Sequence, residues 1–261
     1  MSQVNRRRFI GSLALAALGG VGLARLTVDT DQPADQTISA GLPSGSGARP
    51  PVIRVSLPGG GVLTSLPGDG ELLAWTVDDG VSSEVVRAYT QFAKDTGIRL
   101  TYFVNGVNDS WTDNRPLLQP LVDSGQIQLA NHTWSHPDLT TLSSREIADQ
   151  LTRNDAFLVN NYGAHAKPFF RPPYGSHNAM VRAIAADLGY TTTTLWNGSL
   201  ADSTFITEDY ITSMADKYFN AQNIVLGHLN HLPVTHVYPA LADVIRARRL
   251  TTVTLNDVFV T

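Results

Sequence analysis

The 261 residues are 43% hydrophobic, 16% charged and 8% aromatic, with a formal net charge of −4. That suits one large domain or two small ones and excludes a collagen, a coiled coil or wholesale disorder; zero cysteines exclude disulfide frameworks, thiolate metal sites and cysteine nucleophiles. Setting Arg6, Arg7, Arg8 and Arg25 aside from the 19 Lys+Arg leaves 15 against 23 Asp+Glu, a net of −8, and so acidic a body argues against nucleic acid as a partner.

Asn5-Arg6-Arg7-Arg8-Phe9-Ile10 runs straight into an apolar, glycine-diluted stretch that ends at Leu23. A basic n-region before a short h-region reads as an export signal over residues 1–26, and the Arg-Arg-x-Phe-Ile pattern resembles a twin-arginine signal. An uncleaved membrane anchor is the alternative, although the run is shorter than the roughly 20 residues a spanning helix needs. Residues 27–52, rich in Asp, Gln, Pro, Ser and Gly, read as a flexible linker, and 53–261 as the folded domain. Gly59-Gly60-Gly61 and Pro67-Gly68-Asp69-Gly70 bracket a hairpin or irregular strand pair. The triplet is a turn and no phosphate loop, because no Lys-Ser/Thr follows it.

From Glu71 onward short apolar runs alternate with amphipathic ones. Strands are expected at Leu72–Val77, Arg99–Val104, Gln126–Ala130, Lys167–Phe170, Tyr190–Trp196, Asn223–Leu226 and Leu250–Leu255. Helical spacing links Val85, Val86, Tyr89, Phe92 and Ala93 up to Gly97, and a capping box, Ser143-Ser144-Arg145-Glu146, precedes Ile147, Leu151 and Leu158. Further stripes are Val181, Ile184, Ala185 and Leu188, then Ile211, Met214, Ala215, Tyr218 and Phe219. Pro239 opens a last helix carrying Leu241, Val244 and Ile245. About seven strands in repeated βα units imply a parallel sheet, open or closed into a barrel.

Polar residues cluster just after the strands: Asp78-Asp79, Asn131-His132, Arg171, Asn197 and His228. In parallel α/β folds these carboxyl ends share one face, where active sites are built. His132-Thr133-Trp134-Ser135-His136 sets two imidazoles four residues apart, suited on a helical turn to a pair of metal ligands; alone, the pattern also fits surface histidines. Thr133 stands where a metallopeptidase helix carries its glutamate, and Pro137 stops a longer helix. Asp78-Asp79-Gly80 supplies acids that leave the strand end in different directions, one able to bind a cation and one free as a general base; a plain Asp-Gly turn is the other reading. Arg171 stands on the stiff Pro172-Pro173-Tyr174-Gly175 loop, able to orient a carboxylate, or is a surface charge on a rigid turn. His228, ending a buried strand, fits a general acid near neutral pH, or a satisfied core histidine. His231 and His236 follow close enough to line such a site, while His165 and His177 read as loop residues.

Together these segments resemble the polysaccharide deacetylases with the NodB homology domain, carbohydrate esterase family 4. Thr76-Val77-Asp78-Asp79-Gly80 is similar to the family's TFDDG motif with Val77 in place of Phe, and His132 to His136 to its H(S/T)xxH motif. Arg171-Pro172-Pro173-Tyr174-Gly175 is similar to its RxPYG loop and Leu226-Gly227-His228 to its LxH. The resemblance runs from about Leu72 to the C-terminus. It implies a distorted (β/α) barrel of about seven parallel strands that removes acetyl groups from glycans. It further implies that Asp79, His132 and His136 bind a divalent metal, most commonly Zn2+, with Co2+, Ni2+ or Mn2+ as alternatives. Asp78 would then be the general base oriented by Arg171, and His228 the general acid. The Tyr174 backbone N–H would help hold the oxyanion and Leu226 would line the acetyl pocket, with Pro173 and Trp134 as further substrate contacts.

One motif departs from the family. In Trp196-Asn197-Gly198-Ser199-Leu200-Ala201-Asp202-Ser203, Asp202 occupies the second acidic position of the family's DxxDW element, while Ser199 replaces the first acid and Ser203 the tryptophan. Trp196, Trp134 and Trp111 are groove candidates, with a core role equally open for Trp196 and Trp75. The expected protein is an exported, monomeric, metal-dependent deacetylase of chitin-type or peptidoglycan N-acetylglucosamine, without a protein partner. Same-fold alternatives act on acetylated xylan or on small amides, and a degenerate glycan-binding protein is a third reading.

Overall fold

Along the strand Leu72–Asp79, Leu73, Trp75 and Val77 point to one side and Ala74, Thr76 and Asp78 to the other, following the two-residue period of a β-strand. The computed structural model describes residues 50–260 except 51, 58 and 60. The export signal expected at residues 1–26, nearly all of the linker expected at 27–52 and part of the glycine triplet lie outside the described residues.

Among the described residues, nine strands form the main sheet. Eight of them run in the spatial order Val62–Leu63, Thr192–Thr194, Phe169–Phe170, Ile127–Asn131, Leu100–Val104, Leu72–Asp79, Asn223–His228 and Gly198–Ser199, every neighbouring pair parallel. The ninth, Thr251–Thr252, pairs with Leu72 and Leu73, and Leu100–Val104 takes over that edge from Thr76 onward. The end strands Val62–Leu63 and Gly198–Ser199 are not paired to each other, so the sheet curls as an open half-barrel, the distorted barrel expected. A separate parallel ladder joins Val55–Ser56 to Phe259–Val260.

Helices cover one face. Ser83–Thr96 starts where the Ser82 side chain accepts from Val85 N and ends at Gly97, whose φ of 75° favours glycine. Ser144–Tyr162 opens with the Ser143–Glu146 capping box. Apolar stripes such as Val85, Val86 and Tyr89, or Ile147, Leu151 and Leu158, pack with Leu73, Trp75 and Val77 in the larger core. On the other face Ala74, Phe103, Ala130, Phe169 and Ile224 close over Leu63, Leu66, Leu255, Val258 and Phe259 in a second core. No helix among the described residues is long and apolar enough to cross a membrane.

Three expectations need correction. Between Gly61 and Pro67 there is no hairpin; Val62–Leu63 pairs in parallel with Thr192–Thr194 because Leu63 and Leu66 are drawn into the second core. The strand expected over Leu250–Leu255 stops at Thr252. Thr254 and Asp257 then form a capping box that starts the short helix Leu255–Val258, so the helix Tyr238–Ala247 opened by Pro239 is not the last. The helix Arg115–Asp123 is hidden in the sequence by Pro120 inside it, which reads as a helix breaker.

Candidate functional site

The alternation that sends Ala74, Ala130 and Ile224 into the inner core sends Asp78, His132 and His228 the same way where their strands end. Asp79 does not simply point away from Asp78, as an extended strand would have it. Its φ is 77° and that of Gly80 is 86°, a left-handed turn that returns the Asp79 carboxylate beside its neighbour. Gly80 is required there, because a Cβ would come within 2.2 Å of the buried Trp111 indole. The Asp79 carbonyl is pinned by Asn105 N at 3.3 Å and Asn108 Nδ2 at 3.1 Å.

The two histidines converge without the helical turn that their spacing suggested. Thr133 at φ 74° and His136 at φ 61° make a tight loop instead. Asn105 Nδ2 donates to the carbonyls of His132 at 2.5 Å and Thr133 at 3.1 Å, Thr133 N donates to Asn131 Oδ1 at 2.9 Å, and His136 N donates to Thr133 Oγ1 at 3.1 Å. The Nε2 atoms of His132 and His136 thereby stand 3.3 and 3.4 Å from Asp79 Oδ1, and the three ligand atoms lie within 4.8 Å of one another.

The chemistry of these groups fits a divalent cation. The Arg171 carbonyl, 2.7 Å from His132 Nδ1, can only accept, so that nitrogen carries a proton and Nε2 is the ring nitrogen turned to Asp79. Asp79 Oδ1 is buried and has no hydrogen-bond partner, a cost that a cation would remove. Burial works against the charge on both groups. Even so, Asp78 and Asp79 push the His132 imidazole above its usual value, and His132, His228 and Asn230 hold the Asp79 carboxyl well below the carboxylate range. Burial and the charge of His132 push His136 down, toward the neutral form a ligand needs.

Asp78 stands beside this trio. Its Oδ1 accepts from Arg171 Nη1 at 2.6 Å, and its Oδ2 lies 3.5 Å from His132 Nε2. Arg171 is fully buried: Nε and Nη2 donate to the carbonyls of Thr194 (3.1 Å) and Leu195 (3.2 Å), and the guanidinium lies over the Phe103 ring at 4.0 Å. Across the site, Asp202 Oδ1 is 3.0 Å from His228 Nδ1 and its Oδ2 accepts from His228 N at 3.2 Å, with Ala201 at φ 58° turning the chain to allow it. Burial alone would lower His228, but the bond to and charge of Asp202, with Asp78 and Asp79 behind, raise it.

A cavity of about 720 Å³ opens over these groups, within the roughly 300–1,000 Å³ usual for small-ligand sites. Asp78, Asp79, His132, His136 and His228 line it, with Tyr174, Leu226 and Trp196 in its wall. Tyr174 is 71% exposed and meets the His136 ring edge-on at 4.6 Å between centroids. Two substrate contacts are corrected. Trp134 packs on Phe157 and under Arg153, off the cavity, because its loop turns it toward the helix Ser144–Tyr162. Pro173 is buried at the start of the turn Pro173–Gly175, and Pro172 lines the cavity in its place. Trp111 and Trp75 are core residues. His231 rests against Phe205 and His236 pairs with Glu208, neither in the cavity wall. Asn105 and Asn230 both line the cavity and bond to the site, yet no sequence motif singled them out. Asn230's position two residues after His228 was the signal available.

Comparisons with known proteins bear on the family and the fold. The sequence model described as polysaccharide deacetylase matches residues 66–193. The chain is 30% identical over 213 residues to a chitin deacetylase of Pestalotiopsis, covering 77% of this chain and 67% of that protein. It is 36% identical over 138 residues to chitin deacetylase 1 of Saccharomyces cerevisiae, covering 52% of this chain and 42% of the yeast protein. The chain thus spans between about two fifths and two thirds of the length of these two relatives. The fold superposes on the chitin deacetylase from the fungal pathogen Colletotrichum lindemuthianum with a TM-score of 0.68 at 24% identity, over 77% of this chain and 93% of that one.

Proposed function

The chain belongs to the polysaccharide deacetylase family, carbohydrate esterase family 4, and we propose that it is an exported, metal-dependent deacetylase that hydrolyses acetyl groups from glycans containing N-acetylglucosamine. The observation that carries the reading is the buried Asp79 Oδ1, without a hydrogen bond and facing two imidazole nitrogens, with an Arg-held carboxylate on one side and an Asp-held imidazole on the other. Asp79, His132 and His136 would hold the ion, and imidazole with carboxylate is a donor set that suits zinc. When bound, a divalent ion polarises an acetyl carbonyl and eases the ionisation of water.

The chain's own groups then divide the proton work. Asp78, its Oδ1 fixed by Arg171, takes a proton from the attacking water on Oδ2. The Tyr174 backbone N–H donates to the carbonyl oxygen as it gains negative charge. His228, held at Nδ1 by Asp202, delivers a proton from Nε2 to the departing nitrogen. Acetate leaves, and the free amine stays on the sugar. Tyr174 and Trp196 offer aromatic faces to pyranose rings. The relatives' names favour chitin-type chains, and the signal-like N-terminus favours an extracellular glycan over a small cytoplasmic amide. The convergence of Asp79, His132 and His136 beside an Arg171-held Asp78 and an Asp202-held His228 favours catalysis over a degenerate glycan-binding role.

The test is acetate release from N-acetylglucosamine oligomers by chelator-treated protein after adding back zinc, cobalt or nickel. Restored turnover that Asp78→Asn removes is the expected result. Binding of the oligomer without any acetate release would overturn the reading.

A further inference from the structure

We propose that Asn230 is a positioning residue of the metal centre, occupying one oxygen of Asp79 so that the other is left to meet the cation. The inference rests on Asp79, His132 and His136 being metal ligands. Asn230 follows His228 by two residues, in the turn that ends the strand Asn223–His228. Its Nδ2 donates to Asp79 Oδ2 at 2.7 Å, and its Oδ1 accepts from Val81 N at 3.3 Å.

The second contact fixes which way round the amide sits. A backbone N–H can only donate, so the amide oxygen faces Val81 and the NH2 group faces the carboxylate. The donor is therefore aimed by the backbone two residues from the carboxylate it holds. Asp79 has little freedom to escape it, with its φ of 77° and its carbonyl tied to Asn105 and Asn108. One carboxylate oxygen thus accepts a hydrogen bond, while the other is buried without one and turned to both Nε2 atoms. A carboxylate with both oxygens free can take an ion through either or both; one already accepting a bond to a charged oxygen offers the remaining one.

The residue type suits the task. A lysine or arginine in that place would repel a cation, whereas an amide orients the carboxylate and leaves the negative field of Asp78 and Asp79 undiminished. One strand end thereby serves both halves of the chemistry: His228, held by Asp202, faces the leaving group, and Asn230 steadies the carboxylate beside it.

The experiment uses the full chain stripped of metal, as wild type, Asn230→Ala and Asn230→Leu; leucine keeps the side-chain volume in case alanine folds poorly. Zinc affinity is read by competition with a chromophoric chelator, and the ligand field by the visible spectrum of cobalt-loaded protein. Both variants should bind zinc about tenfold more weakly, at the lower end of the roughly 10–100-fold cost of losing an outer partner. Their cobalt spectra should shift, and kcat should fall with KM within about twofold of wild type. Zinc affinity within about twofold of wild type with a superimposable cobalt spectrum overturns the proposal while leaving the metal centre standing. So does a lowered melting temperature of the metal-free variants with an unchanged spectrum of the loaded ones, the sign of a merely structural role. A folded wild type that binds neither zinc nor cobalt sinks the metal reading and this proposal together.

Discussion

Two buried Arg–Asp pairs stand at opposite ends of the same sheet. At the carboxyl ends of the strands, Arg171 meets Asp78 at 2.6 Å; at the amino ends, Arg99 meets Asp257 at 2.6 and 2.9 Å. The residue types, the burial and the shortest distance are nearly the same. What differs is how the carboxylate is used. Both Asp257 oxygens accept from Arg99, and Oδ2 also accepts from Thr254 N in the capping box of Leu255–Val258. That pair closes the terminal helix onto the sheet. Arg171 holds Asp78 by Oδ1 only and spends its other donors on the carbonyls of Thr194 and Leu195. Oδ2 is left facing the cavity beside His132. A saturated carboxylate holds the fold together, and a half-saturated one can take a proton.

The sharpest way to break this contrast is to neutralise each acid in turn. Asp78→Asn should lower kcat of the folded protein about 1,000-fold, within the roughly 10²–10⁴-fold range of general base catalysis. Asp257→Asn should instead cost stability, about 3–5 kcal/mol for a buried pair that loses one partner, with kcat per folded molecule close to wild type. Denaturant titration beside active-site-normalised kinetics separates the two. If Asp257→Asn destroys turnover in a protein of normal stability, the division of roles between the two ends is wrong.

Metal linkage should act at the cavity end alone. Zinc at about 100 times its dissociation constant should add about 2.7 kcal/mol to unfolding, seen as a higher melting temperature. His132→Ala should abolish that gain, and Asp257→Asn should leave it intact. A smaller effect concerns pH. As the proposed acid, His228 has to be protonated, so the rate should fall as pH rises through its pKa, which burial lowers and Asp202 helps to hold up. Asp202→Asn should move the alkaline limb of the kcat profile to lower pH, because the bond and charge that hold the imidazole up are lost. An alkaline limb that stays in place would show that another group supplies the proton.

Much of the cavity end was legible because chemistry there is written in short runs at strand ends. Asp78-Asp79, His132 to His136, Arg171 and His228 each sit within a residue or two of an apolar strand, and period-two alternation alone puts Asp78, His132 and His228 on one face. What brings them to bonding distance was not legible. Asp79, Thr133 and His136 adopt positive φ without being glycine, against local propensity, and tertiary bonds from Asn105, Asn108 and Asn230 hold them there. The amino end was opaque for a similar reason. Arg99 and Asp257 are 158 residues apart, and Leu250–Leu255 reads as a strand until the Thr254–Asp257 capping box turns it into a helix. Trp134 misled because a tryptophan between two candidate ligand histidines invites a binding role, whereas its side chain follows the loop outward to Phe157 and Arg153.

A third ion pair sharpens the contrast from the weak side. His236 Nδ1 lies 2.6 Å from Glu208 Oε1, as close as either buried arginine pair, but both side chains are more than half exposed. In water, two such groups gain little from each other, because solvent screens the charge and both chains lose freedom on pairing, leaving about 0.2–1 kcal/mol. His236→Ala should therefore change stability by no more than that and kcat/KM by no more than about twofold, although His236 is only eight residues from His228 in sequence. Thermal denaturation and acetate-release kinetics on the one variant decide it. A loss of turnover comparable with that of Asp202→Asn would mean that nearness along the chain, and not the wall of the cavity, marks the working histidines.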